Sequence, residues 1–135
     1  YRPELVLETP VRTGKAFETL QEWLNGGEAT HLFTAVFAFS DLMALEAISC
    51  LREHGYDVPN DVSVIGYDDI QHSLHIPYDM TSVRIPIARM GREATECLLT
   101  RIEGHVSQKP CHKVYPGELV VRRTTRSIQS NEVRL

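Results

Sequence analysis

Short runs of apolar, β-branched and aromatic residues alternate along this chain with stretches whose apolar residues recur every three or four positions. Leu5-Val6-Leu7 is the first strand-like run, and Thr9-Pro10 ends it. Ala16, Phe17, Leu20, Trp23 and Leu24 follow at helical spacing, with Thr13 placed to cap that helix and Gly26-Gly27 to stop it. The cycle repeats with a run from Leu32 to Phe39, closed by Ser40-Asp41. Leu42, Leu45, Ile48 and Leu51 then mark one face of a second helix, with Ser40 as N-cap and Gly55 past its end. Val58-Pro59-Asn60-Asp61 is turn chemistry. Val62 to Tyr67 forms a third run, closed by Asp68-Asp69, and Thr81 to Ile85 a fourth before Pro86. Ile87, Gly91, Ala94, Leu98 and Ile102 mark a third helix that Gly104 stops. Val114 to Val121 reads as a strand pair, or one bent strand, around Pro116-Gly117. Runs that are apolar on both sides, separated by amphipathic helices, predict an α/β fold: a doubly wound, mostly parallel sheet with helices on both faces.

With 135 residues the chain suffices for one ordinary domain, and no repeat, low-complexity tract or linker divides it. Lys and Arg number 14 against 18 Asp and Glu, a formal net charge of −4, which gives no general attraction to a polyanion. Three cysteines, Cys50, Cys97 and Cys111, stand far apart. An odd, scattered set fits a reducing, cytoplasmic compartment better than a disulfide framework. No apolar stretch approaches the ~20 residues of a membrane helix, so no membrane partner is expected. Tyr1-Arg2-Pro3 reads as the start of a piece of something longer, and the polar residues 127–135 as a frayed tail.

In open parallel sheets, ligands bind beyond the carboxyl ends of the strands. That rule selects Thr9, Ser40, Asp41, Asp68 and Asp69. An ionised carboxylate there can accept hydrogen bonds from two adjacent hydroxyls, which suits a polyol or a sugar. The same residues equally suit helix caps and turn closures. His72 and His75 have no third partner at metal-ligand spacing and read as loop residues. Asp68 and Asp69, adjacent on extended backbone, point apart and cannot share a proton as an acid/base pair. No phosphate loop, nucleophile elbow or zinc signature is present, so neither enzyme activity, cofactor nor metal is expected. Arg122-Arg123-Thr124-Thr125-Arg126 reads as a solvated strand end rather than a nucleic-acid arm. Cys50 falls by the apolar face of its helix and reads as a small core residue.

Several blocks resemble the lac/galactose repressor family of bacterial transcription regulators. Thr34-Ala35-Val36-Phe37-Ala38-Phe39-Ser40-Asp41-Leu42-Met43-Ala44 is similar to one family segment. Gly55-Tyr56-Asp57-Val58-Pro59-Asn60-Asp61-Val62-Ser63-Val64-Ile65-Gly66-Tyr67-Asp68-Asp69 is similar to another. Met80-Thr81-Ser82-Val83-Arg84, Met90-Gly91 and Leu119-Val120-Val121-Arg122-Arg123-Thr124-Thr125 resemble three later ones, and order and spacing agree from about residue 1 to 126. The resemblance implies the carboxyl-terminal part of a periplasmic-binding-protein-like effector domain. Residues 1–126 are its effector-binding and dimerisation portion, with 86–103 a crossover helix belonging to a first subdomain that this chain lacks. The operator-reading headpiece is absent as well.

The resemblance also implies roles. Asp68 stands where the family places a carboxylate that bonds effector hydroxyls. Ser40 stands where the family usually has Asn, Thr9 where many members have an aromatic ring, and Ile85 where a polar residue, often Gln, is common. These departures imply an unusual or less polar effector, or relaxed selection on binding. Leu42, Leu45, Ile70, Leu74 and Tyr78 are the implied dimer contacts. The expected partners are a sugar-like effector, a second copy of the chain and, only through the missing headpiece, operator DNA. A transport-type periplasmic sugar-binding protein is the alternative, and an α/β enzyme using Asp68 a more distant one. The apolar face of the 87–102 helix is expected to pack on a partner copy or to fold back onto its own sheet, since leaving large side chains wet forfeits about 1.5–3 kcal/mol each.

Overall fold

Each helix boundary has a local cause. The computed structural model describes residues 2–26, 33–70, 79–104 and 112–127. Helix α1 spans Lys15–Asn25, α2 Asp41–Glu53 and α3 Ile87–Ile102. Ser40 caps α2 as expected: its Oγ accepts from the Met43 amide at 3.3 Å. Gly55 and Gly104 take positive φ, 82° and 76°, just past α2 and α3, where a side chain would be strained.

Thr13 does not cap α1. The N-cap is Gly14 at φ 84°, with no side-chain cap of its own. A carboxylate from α2 serves instead. Glu46 accepts from the amides of Gly14 (2.6 Å), Ala16 (3.0 Å) and Phe17 (3.3 Å). The negative charge also sits at the positive end of the α1 dipole.

Four strands form one sheet in the order β1 (Ala35–Phe37), β2 (Ser63–Asp68), β3 (Ser82–Arg84), β4 (Glu118–Val120). β1 and β3 run parallel to β2, and β4 runs antiparallel to β3. The expected α/β class and mostly parallel sheet are therefore what forms. The residues from Val114 to Val121 supply one strand, not a pair.

Leu5-Val6-Leu7 is not a strand. Pro3–Leu5 is a 3₁₀ turn, and the amides of Leu5 and Val6 donate to the carbonyls of Arg2 and Pro3, both at 3.0 Å. Those donors would be needed in a ladder, and Pro10 has none to offer. Val6 and Leu7 remain exposed, and β1 has no outer partner among the described residues.

The core lies between α2, α1 and the sheet. Leu20 and Leu24, four residues apart on α1, meet Ala44, Ala47, Ile48, Cys50 and Leu51 of α2, and Val62, Val64 and Met80 close it from the sheet side. The i,i+4 pair and the alternating burial of β2 are the two periods in physical form. Trp23, Phe33 and Tyr56 extend the core as a chain of tilted rings, with centroids 5.3 and 6.0 Å apart. Cys50 is a core residue, as its helical position suggests.

Helix α3 does not fold back onto the sheet. It buries no residue, and Ile87, Leu98, Leu99 and Ile102 are exposed. Its visible tie is polar. Glu93 binds Arg89 on its own helix and also Lys113 Nζ and Tyr115 Oη, each at 2.8 Å, from the returning segment.

Candidate functional site

The strand register brings three of the expected residues to one rim. Phe37 pairs with Ile65, so Ser40 and Asp68, each three residues further on, leave the sheet side by side. Asp68 pairs with Arg84, so Ile85 follows at the same carboxyl edge. Ser40, Asp68 and Ile85 are all partly buried there. Thr9 comes from outside the sheet. Its Oγ1 is 3.1 Å from Thr19 Oγ1 on α1, and it lines a cavity of about 600 Å³ together with Phe39, Val11 and Met43.

The four polar residues at the strand ends divide into two kinds. Asp41 is fully buried, and its oxygens are already engaged: Ser82 Oγ donates at 2.5 Å and the Ile70 amide at 2.7 Å. Burial pushes its carboxyl above the usual range, more than these two bonds pull it down. Asp69 is also buried. Arg122 grips it with two nitrogens, at 2.8 and 3.2 Å, and Arg84 Nε adds a third bond at 2.7 Å. The Asp69 amide donates to Ser82 Oγ at 3.1 Å. These two aspartates are anchors of the rim, which answers to the capping and turn-closing alternative.

Asp68 differs. It is the last residue of β2, partly exposed, with φ at 98°, and Asp69 follows at φ 54°. Two successive residues with side chains in the left-handed region are uncommon and persist only where neighbours fix them. The buried grip on Asp69 supplies that fixing and sets Asp68 at the carboxyl end of β2, partly exposed. Ser40 lends its oxygen lone pair to the α2 cap, which leaves its hydroxyl proton directed elsewhere.

The local reading of the strand ends missed three residues. Phe39, immediately before Ser40, is 77% exposed at this edge. Arg84 and Arg122 hold the turn from 15 and 53 residues away in sequence, a distance that spacing does not reveal. Arg122 therefore does not belong to a merely solvated basic run. Arg126 likewise bonds the Asn60 carbonyl at 2.9 Å, and Thr124 Oγ1 donates to the Val64 carbonyl at 2.7 Å.

Among the expected dimer contacts, Leu42 is exposed, Leu45 packs partly against the core and Ile70 is partly buried. Leu74 and Tyr78, like His72, His75 and Cys111, lie outside the described residues. Among the described residues no helix is long and apolar enough to cross a membrane.

Residues 3–125 match the periplasmic binding protein-like domain family. The HTH-type transcriptional repressor PurR of Aliivibrio fischeri (strain MJ11) is 36% identical over 122 residues, 90% of this chain and 36% of that protein. The solved complex of the transcriptional regulator CelR with cellobiose superposes with a TM-score of 0.79 at 37% identity, over 92% of this chain and 37% of the other. A LacI family transcriptional regulator from Enterococcus faecium, solved with bound ribose, gives a TM-score of 0.73 at 28% identity, over 91% and 44%. This chain thus spans little more than a third of the curated relative's length. These relatives are regulators rather than enzymes, in keeping with the missing catalytic signatures. By sequence, by fold and by the blocks that frame its rim, the chain belongs to the periplasmic binding protein-like domain family, and over most of its length it is similar to a portion of LacI-family transcriptional regulators.

Proposed function

We propose that this chain is the part of a cytoplasmic bacterial regulator that senses a sugar-like effector and contributes to its dimerisation. The observation that carries the reading is the Asp68 turn, held open toward the rim by a buried ionic grip and flanked by Ser40. In this reading the Asp68 carboxylate accepts hydrogen bonds from two neighbouring hydroxyls. Ser40 donates a further one, and Thr9 and Ile85 bound the site with little polarity. Cellobiose and ribose, found on the two solved relatives, support a saccharide as the effector class. The crossover of residues 86–103 to a first subdomain and the dimer contacts at Leu42, Leu45, Ile70, Leu74 and Tyr78 belong to the same proposal. So does an operator-binding headpiece elsewhere in the protein. The effector shifts operator binding only by its differential affinity for two closure states.

Calorimetric titration of the full-length protein with a saccharide panel that includes cellobiose and ribose tests the reading. Asp68→Ala is expected to weaken the sugar that binds by about 1.5–3 kcal/mol, the range for a hydrogen bond to a charged group. Unchanged affinity would remove Asp68 from the site.

A further inference from the structure

We infer that Arg84 is a positioning residue that couples the Asp68-Asp69 turn to the segment leaving the sheet for α3, so that occupancy of the turn is transmitted to that helix. The inference rests on the effector reading above.

The two arginines on Asp69 are not equivalent. Arg122 meets both carboxylate oxygens and also donates to the Met80 carbonyl at 2.7 Å. Its side chain is 18% exposed. A bidentate, largely buried guanidinium suffices to neutralise a buried carboxylate. Arg84 adds one bond, Nε to Oδ2 at 2.7 Å, from a side chain that is 37% exposed. It is also the last residue of β3, and only Ile85 and Pro86 separate it from the first residue of α3. Arg122, just past β4, therefore fixes the turn to the returning chain, whereas Arg84, which also meets Glu118 of β4 at 3.8 Å, fixes it to the last residue of β3, beside the exit toward α3.

Backbone geometry makes this link responsive. Asp68 and Asp69 occupy the left-handed region consecutively, a conformation kept only by its surroundings. A ligand that moves Asp68 must rotate Asp69. The Asp69 carboxylate then carries the Arg84 guanidinium with it, and Ile85 is the next residue along the chain. Glu93, on α3, joins that helix to the returning segment through Lys113 and Tyr115. The displacement thus acts on both chain crossings.

The test uses the full-length protein. Amide hydrogen exchange over residues 85–102 is measured with and without saturating cellobiose or ribose, whichever titrates, in wild type, Arg84→Gln, Arg84→Lys and Arg122→Gln. In wild type the sugar changes exchange across this segment. Arg84→Gln keeps its melting temperature within a few degrees and still binds. Its sugar-dependent change over 85–102 shrinks roughly five-fold or more, the lower end of ordinary coupling factors. Arg84→Lys restores a large part of the response, because an ammonium still reaches the buried charge. Arg122→Gln lowers the melting temperature instead. A full response in Arg84→Gln overturns the inference. So does a sugar that binds wild type without altering 85–102, and so does failure of Arg84→Gln to fold. Wild type that binds no saccharide of the panel overturns the effector reading itself, and the coupling with it.

Discussion

At the scale of single residues, Gly66 shows how a strand can be specified by what lies above it. A Cβ there would stand 2.2 Å from Asp41 Oδ1 and 3.2 Å from the Asp41 Cα. The first turn of α2 sits on the bare backbone of β2, and that closeness lets Asp41 reach Ser82 and the Ile70 amide. Gly66→Ala is expected to lower stability by about 1–3 kcal/mol, as overpacking does, and the urea midpoint will show it. Cys50 is a second residue with a clear expectation. Burial pushes its thiol up to about 11, so in the folded protein at pH 8 it should resist alkylation that labels the partly exposed Cys97. Labelling of Cys50 as fast as Cys97 would contradict its place in the core. Both residues were partly legible beforehand. Gly66 lies inside a recognisable block and Cys50 on an apolar helical face. The reason Gly66 must be glycine was hidden, because the atom that excludes a side chain comes from Asp41 on another element.

At the scale of elements, helices and strands were legible because each carries its own hydrophobic period, and their ends because Ser40, Gly55 and Gly104 are local signals. What failed was non-local. Thr13 has the chemistry of a cap, but Glu46 on α2 reaches the orphan amides of α1 first. Glu46→Ala should therefore destabilise by about 0.5–2 kcal/mol, the usual range for a lost cap, while Thr13→Ala should be nearly silent; thermal melts of the two variants compare them. The first apolar run failed as a strand because Pro3 draws two of its amides into a turn.

The tie between α3 and the returning segment has a pH signature. Bonds from Lys113, Arg89 and Tyr115 hold the Glu93 carboxyl down to about 2, against an ordinary 4.5. A depressed carboxyl contributes its stabilisation above pH 4.5 and loses it as pH falls from there toward 2. A carboxyl-carbon NMR titration should place Glu93 near the lower value, and Lys113→Ala should move it upward. A midpoint near 4.5 in the wild-type protein would mean that the tie does not form in solution.

At the scale of the whole molecule, α3 is an amphipathic helix whose apolar side is left exposed, with none of its residues buried among the described residues. No local pattern says what would cover that side. The resemblance to longer proteins, of which this chain spans 36% in one case, is what points beyond it. The 135-residue chain alone is expected to self-associate at micromolar concentration in equilibrium sedimentation, driven by about 1.5–3 kcal/mol per large side chain covered. Leu98→Glu with Ile102→Glu should return it to a monomer. A strict monomer without those changes would show that the face is tolerated wet. Thr124 carries a last consequence, for biosynthesis. Its carbonyl accepts from the Val64 amide, and its hydroxyl takes the Thr81 amide and donates to the Val64 carbonyl. One residue thereby stitches β2 to the start of β3 from 43 positions downstream of Thr81. A ribosome delivers both strands well before it delivers the stitch. The β2–β3 ladder can pair before Thr124 emerges, but the three bonds that Thr124 makes to Val64 and Thr81 form only afterwards, and a message cut short before that codon yields a sheet without them.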